Sequence, residues 1–220
     1  MTKNLLIAAV AVLLGAQDSP FNGKDLTGWK FKGSEARNKW KVGKAVWDKE
    51  AASKLTLAEG DELVNVDGKG VDLYTEAKWG DAVIEVEVLV PKGSNSGVYV
   101  MGEYEVQVLD SFGKEKVGAG DMGGLYGASA PKVNASKAPG EWQKFVIDYR
   151  APKFDDKGAK TANMKFVKIE LNGQVIHENV EMKGPTPSGV TGKEAATGPI
   201  MFQGDHGPVA YRAIKVTPVK

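Results

Sequence analysis

The sequence predicts an all-β fold, an antiparallel sandwich or barrel, on two observations. Short apolar or alternating runs recur from Phe21 onward, and no amphipathic helix of three or more turns interrupts them. Gly, Pro, Asn and Asp separate these runs, as turns separate antiparallel strands. The composition, 42% hydrophobic and 26% charged, is ordinary for one globular domain.

The predicted strands fall into two groups on either side of a long break. Apolar runs such as residues 81–90 favour a two-layer sandwich over alternating strands and helices. The predicted strands before the break are residues 39–48, 54–59, 61–66, 71–79, 81–90, 97–101 and 104–110, and those after it are residues 141–150, 163–173, 174–182, 198–204 and 209–219.

Three long segments lack strand patterns: residues 112–140, 151–163 and 183–198, all rich in Gly, Ala, Lys or Pro. Loops of this length are uncommon in compact domains and often build a binding site. The alternative is that they are mobile surface decoration.

The N-terminus has the layout of a secretory signal peptide. Lys3 precedes ten apolar residues, Leu5 to Leu14, which small residues follow. The run is shorter than the roughly 20 residues that cross a membrane, so we expect no permanent anchor. We expect a signal peptide over residues 1–16, a single domain over residues 17–220, and a secreted or periplasmic protein. A buried N-terminal helix is the alternative.

Charge and cysteine content exclude several functions. Lys and Arg number 29 against 28 acidic residues, which gives a formal net charge of +1 and no basic block for nucleic acid. The chain has no Cys, which excludes disulfides, thiolate metal sites and thiol catalysis.

The stretch GSNSGVYVMGEYEVQVLDS, residues 93–111, predicts a hairpin with polar groups on one strand. Gly102-Glu103 suits a two-residue type II′ turn, which pairs Val100 with Glu105. Glu105 and Gln107 then share a polar face. The opposite, core face would carry Tyr99, Met101, Tyr104, Val106 and Val108. The alternative is that Glu105 is only a solubilising charge on a wet face.

The two histidines predict different roles. His177 follows an Asn172-Gly173 hairpin turn, whose pairing puts it on the surface opposite Lys168. His206 follows Asp205 in a Gly- and Pro-bounded turn, where a His beside an Asp suits acid–base chemistry. A His that only caps the local backbone is the alternative.

No cofactor is predicted. The Gly-rich stretches lack the strand–turn–helix context of a phosphate loop, and no G-x-S-x-G elbow occurs. Asp110, Asp121 and Asp205 could supply oxygen ligands to calcium, so a divalent cation stays open.

Five segments together resemble the 3-keto-disaccharide hydrolase family of bacterial proteins. They are FNGKDLTGW, GSNSGVYVMGEYEVQVLDS, LYGASAPKVNASKAPGEWQ, IELNGQVIHENVEMKGPT and TGPIMFQGDHGPVAYRAI, in that order from Phe21 to the C-terminus. The resemblance implies a concanavalin A-like jelly-roll sandwich of two antiparallel sheets, with long loops over a concave face. It also implies cleavage of glycosides whose sugar carries a ketone at carbon 3, and hence an oxidised di- or oligosaccharide or glucoside as the partner molecule.

The resemblance also implies which polar residues form the site. They are the Asn95-Ser96-Gly97 turn, Glu105, Gln107, Asp110, Tyr126, Gln203, His206 and Arg212. One departure is visible, because Ala213 stands where the family usually has Asn.

A ketone at carbon 3 acidifies the proton at carbon 2, which suggests elimination followed by hydration. We expect Glu105 and His206 to be the catalytic base and acid, in either order, with His206 oriented by Asp205. Arg212 and Gln203 would bind the enolate or nearby hydroxyls, and Asn95, Gln107 and Tyr126 would hold the ring. Asp110 completes the expected substrate-binding set.

Two other functions stay open. Glu105, Gln107 and Asp110 approximate the Glu-x-Asp-x-x-Glu spacing of laminarinase-like retaining glycosidases, which need two carboxyls about 5–5.5 Å apart. A non-catalytic carbohydrate-binding domain would instead rely on aromatic platforms. The five Trp residues lie in strand contexts that predict core positions.

Overall fold

The computed structural model describes residues 15–220. Residues 1–14, which make up most of the predicted signal peptide, lie outside the described residues. Fourteen strands occur in the described part of the chain. They are β1 Trp29–Lys32, β2 Trp40–Trp47, β3 Leu55–Asn65, β4 Asp72–Thr75, β5 Ala82–Leu89, β6 Asn95–Val100, β7 Tyr104–Leu109, β8 Trp142–Arg150, β9 Lys153–Phe154, β10 Lys160–Ala162, β11 Met164–Leu171, β12 Gln174–Met182, β13 Met201–Phe202 and β14 Val209–Pro218.

Two antiparallel sheets form the layers of a sandwich, as the sequence predicts. The order of the five-stranded sheet is β1-β4-β13-β6-β7, and that of the seven-stranded sheet is β12-β11-β8-β5-β14-β3-β2. A separate small hairpin joins β9 and β10. Between residues 15 and 220 the only helical element is a 3₁₀ turn at Glu35–Arg37, and no helix there is long and apolar enough to cross a membrane.

The core lies between the two sheets. Strand β5 shows how the pattern builds it, because Ala82, Ile84 and Val86 alternate with half-buried residues and are fully buried. Phe202 of the five-stranded sheet stacks on Tyr211 of the seven-stranded sheet, with ring centroids 3.9 Å apart. These rings belong to β13 and β14, which are the last two strands of the chain. In the sheets, β13 lies between β4 and β6, and β14 lies between β5 and β3.

Most predicted strands are present with shifted ends. The runs at 54–59 and 61–66 form one strand, β3, because the chain continues through an irregularity opposite Gly43 instead of turning. Strands β1, β9 and β10 were not predicted from the sequence. They span four, two and three residues, too short for a periodic pattern.

The predicted register of the β6–β7 hairpin is wrong by one residue. Met101 and Gly102 both have positive φ, 55° and 71°, so the loop has three residues and Val100 pairs with Tyr104. Tyr99 therefore pairs with Glu105 and leaves the predicted core face. Glu105 still faces away from the core, as expected.

The prediction that His177 lies on the surface is also wrong. The Asn172-Gly173 turn forms as expected, with both residues at positive φ. A bulge then shifts the pairing, so that His177 lies opposite Ile169. The His177 side chain is buried, and its Nε2 donates to the Gly123 carbonyl oxygen at 2.8 Å. Burial lowers the pKa of His177, because the charged imidazolium would lose its hydration there.

Candidate active site

A polar pocket opens on the outer face of the five-stranded sheet. Its volume is about 160 Å³. Its floor comes from strands β6 and β7 and its rim from two of the long loops. The lining residues are Asn95, Tyr99, Glu105, Gln107, Tyr126, Pro187, Ser188, Gln203 and His206. The sequence predicted six of these nine as site residues, and we call this cavity the Glu105 pocket.

The Glu105 carboxylate is buried, with 3% of the residue exposed. It lies directly over Gly97 of the neighbouring strand, at a place that a Cβ on residue 97 would occupy. Asn95, Ser96 and Gly97 begin strand β6 and do not form the predicted turn, and Gly97 provides space there for the carboxylate. The hydroxyl of Ser96 instead points inward and shares a hydrogen bond of 2.7 Å with the Tyr211 hydroxyl.

Burial raises the pKa of Glu105 to about 7, because the ionised carboxylate loses its hydration. A hydrogen bond from the Tyr99 hydroxyl and the nearby His206 lower the pKa of Glu105 against this effect, and the negative charges of Asp72 and Asp205 raise it further. Glu105 thus exchanges its proton near neutral pH, as an acid–base catalyst requires.

Two loops are tied to the backbone of Glu105 itself. The amide of Tyr126 donates to the Glu105 carbonyl oxygen at 3.2 Å, and the Glu105 amide donates to Thr186 Oγ1 at 2.9 Å. Gly123 and Gly124 extend the first of these contacts by pairing with Gln107. Segments 112–140 and 183–198 therefore form walls of the site, as the sequence predicted.

Gln107 presents an unsatisfied acceptor. Its Nε2 donates to Asn95 Oδ1 at 2.7 Å, which fixes the orientation of the amide. Its Oε1 is the one buried side-chain polar atom without a hydrogen-bond partner among residues 15–220. Such an atom costs free energy unless a partner arrives, so a ligand hydroxyl is the natural donor.

His206 lies at the mouth of the pocket with about half of its side chain exposed. Asp205 Oδ1 holds its Nδ1, which is the orienting contact expected from the sequence. The nitrogen that remains available to a substrate is Nε2. His206 is therefore placed to contact both solvent and a bound molecule.

Arg212 lies away from the Glu105 pocket, contrary to expectation. Because Tyr211 points into the core, Arg212 points to the opposite face of the seven-stranded sheet. There its Nε donates to Glu87 at 2.7 Å and its guanidinium stacks over Trp142 at 4.0 Å from the ring centroid. The neighbouring Ala213 adopts φ 50°, a left-handed conformation that Asn tolerates better than Ala.

Asp110 is also outside the Glu105 pocket. Its Oδ2 accepts the Gly93 amide at 2.9 Å, and its side chain lines a different cavity beside Phe112. A retaining mechanism that pairs Glu105 with Asp110 therefore has no support in the geometry.

The three aspartates considered for calcium do not meet. Asp121 accepts from the Gly118 amide at 2.8 Å, and Asp205 pairs with His206, while Asp110 lies elsewhere. No group of three or more potential metal ligands occurs within the described range, residues 15–220.

Residues in the Glu105 pocket or next to it were missed by sequence reasoning. Tyr99 was assigned to the core through the wrong hairpin register. Asp72 lies in the short strand β4. The Lys32 ammonium is 3.4 Å from Asp72 Oδ2 and also donates a hydrogen bond to the Ser188 carbonyl oxygen. No local pattern marks Lys32, because its neighbours in the site are distant in the chain.

Comparison with known proteins assigns the family. The profile of the 3-keto-alpha-glucoside-1,2-lyase-like domain matches residues 17–217, almost the whole chain. The chain belongs to this family. No curated protein matches the chain.

Solved structures similar to this member of the 3-keto-alpha-glucoside-1,2-lyase-like family have the same fold. A proposed glycosyl hydrolase from Parabacteroides distasonis is 26% identical, with a TM-score of 0.68, and the match covers 98% of this chain and 94% of that protein. A second from the same organism is 19% identical with a TM-score of 0.62, covering 93% and 94%. These two proteins share the sandwich of two antiparallel sheets with this chain.

Proposed function

We propose that this protein cleaves 3-keto-glycosides by elimination and hydration, after export directed by residues 1–16. The observation that carries the proposal is the buried carboxylate of Glu105, with a pKa of about 7, in a pocket lined by hydrogen-bonding groups. Family membership supports the 3-keto substrate. A desolvated base whose pKa is close to neutral pH is suited to remove a proton from carbon 2.

The reaction proceeds in two stages. The Glu105 carboxylate removes the carbon-2 proton, and the C–H electron pair forms an enolate with the carbon-3 ketone. The enolate collapses to restore the ketone, forms a double bond between carbons 1 and 2, and expels the group at carbon 1. His206 protonates the departing oxygen. Water then adds to carbon 1 while carbon 2 regains a proton, so the sum is hydrolysis.

The remaining pocket residues bind the sugar. The Gln203 amide supplies a donor for the developing enolate oxygen, which Arg212 is too distant to reach. Gln107 Oε1 accepts from a ring hydroxyl, and the Asn95 amide adds a further donor beside it. The Tyr126 ring at the rim covers one face of the substrate.

The test is product analysis on a 3-keto-glucoside beside its parent glucoside. We expect wild-type protein to cleave only the oxidised sugar, and in deuterated water to place deuterium at carbon 2 beyond the exchange of the free ketone. Glu105→Gln should lower turnover by about 10²–10⁴-fold and abolish the label. Glu115→Gln, the same change at an exposed position, is the matched control and should keep both.

The pH profile of a His206→Gln variant distinguishes the two orders of acid and base, because Glu105 is then the one titrating member of the pair. If Glu105 is the base, the residual kcat/KM rises through pH about 7 and then levels off, because only the ionised carboxylate acts. A fall of the residual kcat/KM through that pH would make Glu105 the acid. Cleavage of the parent glucoside at equal rate, or product without label at carbon 2, would contradict elimination.

A further inference from the structure

An ion pair between two neighbouring strands adjoins the Glu105 pocket. Lys32 of β1 and Asp72 of β4 are directly paired in the five-stranded sheet, and their charged atoms are 3.4 Å apart. The Asp72 side chain is 11% exposed and the Lys32 side chain 29%, so the pair is less solvated than an ion pair on the open surface. Neither residue lines the pocket, and the proposed reaction gives neither a role.

Asp72 binds the loop that carries His206. Its Oδ1 accepts a hydrogen bond from the Gly204 amide at 3.0 Å. Gly204 lies between Gln203 and His206, which both line the pocket. The Gly204 backbone is tightly enclosed there, because a Cβ on it would lie 2.3 Å from the Val71 carbonyl oxygen. Asp72 thus fixes the backbone of one part of the pocket lining.

Lys32 binds a second part of the lining. Its ammonium group faces Asp72 and also donates a hydrogen bond of 2.5 Å to the Ser188 carbonyl oxygen. Ser188 lines the pocket and has φ 63°, a left-handed conformation that is unfavourable for a residue other than Gly. Such a conformation persists only where the surrounding structure holds it. The hydrogen bond from Lys32 is a contact of this kind.

The other contacts of this loop lie on either side of Ser188. Within residues 15–220, Ser188 makes its hydrogen bond to Lys32 and to no other residue. The Tyr99 hydroxyl reaches the Pro187 carbonyl oxygen at 3.3 Å, which is long for an O–H···O hydrogen bond. The position of Ser188 at the pocket therefore depends on Lys32.

We propose that Lys32 and Asp72 are positioning residues that hold the Ser188 rim and the His206 loop at a fixed separation across the pocket. Two hydrogen bonds and the ion pair between them connect these two parts of the lining. This inference rests on the proposed function, because it assigns the pair to the geometry of that reaction. A ring bound over Glu105 would be oriented between the two parts, and small displacements of positioning groups lower reaction rates strongly.

Four variants test the proposal. Lys32→Met removes the ammonium donors, whereas Lys32→Arg keeps donors for a carboxylate and a carbonyl. Asp72→Asn keeps an oxygen for the Gly204 amide but turns an NH₂ group toward Lys32, which has no acceptor. Lys30→Met is the matched control, because Lys30 lies two residues away on β1 and its ion pair with Glu76 is exposed on both sides.

We expect Lys32→Met to lower kcat for a 3-keto methyl glucoside about tenfold or more and to change KM by less than about threefold. The hydrogen-bonding groups on β6 and β7 still bind the ring, but its orientation is lost. Each variant is measured at its own pH optimum, so that an altered charge near Glu105 does not enter the comparison. Asp72→Asn should resemble Lys32→Met.

The remaining variants separate positioning from a general effect of the substitutions. Lys32→Arg should stay within about threefold of wild type, and Lys30→Met should match wild type. No loss in Lys32→Met, an equal loss in Lys30→Met, or a Lys32→Arg variant as impaired as Lys32→Met would overturn the positioning role while leaving the reaction intact.

Hydrogen exchange keeps the two proposals separable. If wild-type protein converts no 3-keto-glucoside, the proposed function fails, and the contact is judged from the amides of Thr186 and Val190. These amides flank Ser188 and donate to the β6–β7 turn. Lys32→Met should accelerate their exchange about threefold or more, and Lys30→Met should leave it unchanged. Equal exchange in wild type and Lys32→Met would overturn the role of Lys32 in holding the rim.

Discussion

At the scale of single residues, Glu105 combines its proposed catalytic role with a cost to folding. Sequence reasoning placed it on a solvated face, where replacement by Gln has little effect on stability. The structure buries it beneath two loops, and the pKa of its carboxyl rises from 4.5 to about 7. The folded state therefore favours the protonated carboxyl. As a result, Glu105 lowers the free energy of unfolding only at pH values where the carboxyl of the unfolded chain is ionised.

The first prediction concerns the stability of Glu105→Gln. Below pH 4.5 the carboxyl is protonated in both folded and unfolded chains, and the variant should match wild type. Between pH 4.5 and 7 the folded state retains a proton that the unfolded chain has lost, so wild-type stability falls as pH rises. At pH 8 the variant should be more stable by about 3 kcal/mol.

Urea unfolding of both proteins at pH 4 and pH 8 measures this difference. Glu115→Gln should stay within about 0.5 kcal/mol of wild type at both values, as exposed substitutions usually do. A variant less stable than wild type at pH 8 would contradict the burial of an ionisable Glu105.

Gly97→Ala tests the space that Gly97 leaves for the carboxylate. An added methyl group occupies the position of the Glu105 carboxylate, which must move, so turnover of a 3-keto-glucoside should fall about 10²-fold or more. Gly118→Ala meets only an ordinary contact at 3.8 Å, and it should retain activity. Full activity of Gly97→Ala in a folded protein would show that the position of the carboxylate is uncritical.

At the scale of elements, one buried carboxylate holds the loop that covers the site. Glu103 in the β6–β7 turn accepts three hydrogen bonds from segment 183–198. They come from the Thr191 amide at 2.8 Å, the Thr191 hydroxyl at 2.7 Å and the Gly192 amide at 2.9 Å. The β6–β7 turn thus fixes the loop that carries Pro187 and Ser188.

Glu103→Gln should loosen this loop without unfolding the sandwich. The substitution replaces one carboxylate oxygen by an NH₂ group, which cannot accept hydrogen bonds from the Thr191 or Gly192 donors. At least one acceptor is therefore lost. Hydrogen exchange within residues 186–192 should accelerate, while exchange in β5 and β8 stays slow. Glu115→Gln again serves as control, and an unchanged exchange rate in residues 186–192 would contradict the anchoring role.

At the scale of the whole molecule, the site is assembled from segments far apart in the chain. Ligand should therefore slow proteolysis in residues 112–140 and 183–198, which both border the Glu105 pocket. Segment 151–163 provides an internal control, because none of its residues line that pocket. Limited proteolysis with and without a 3-keto-glucoside on Glu105→Gln measures this, and equal protection of all three segments would contradict the placement.

Much of the fold follows from local pattern. Residues 81–90 alternate clearly and form β5, and Asn172-Gly173 forms the expected turn. The errors arise at irregularities, where one extra residue changes which face a side chain occupies. The three-residue loop at Met101–Glu103 moved Tyr99 into the site, and the bulge beside Ile169 moved His177 into the interior.

The sequence by itself determined the all-β class, the family and most of the polar residues of the site, because these depend on residue type and short-range order. Only the tertiary structure decided that Arg212 and Asp110 lie outside the pocket and that Lys32 and Asp72 adjoin it. It also decided that Glu105 is buried. A pKa depends on desolvation and on charges brought together across the chain, and only the packed sandwich fixes these.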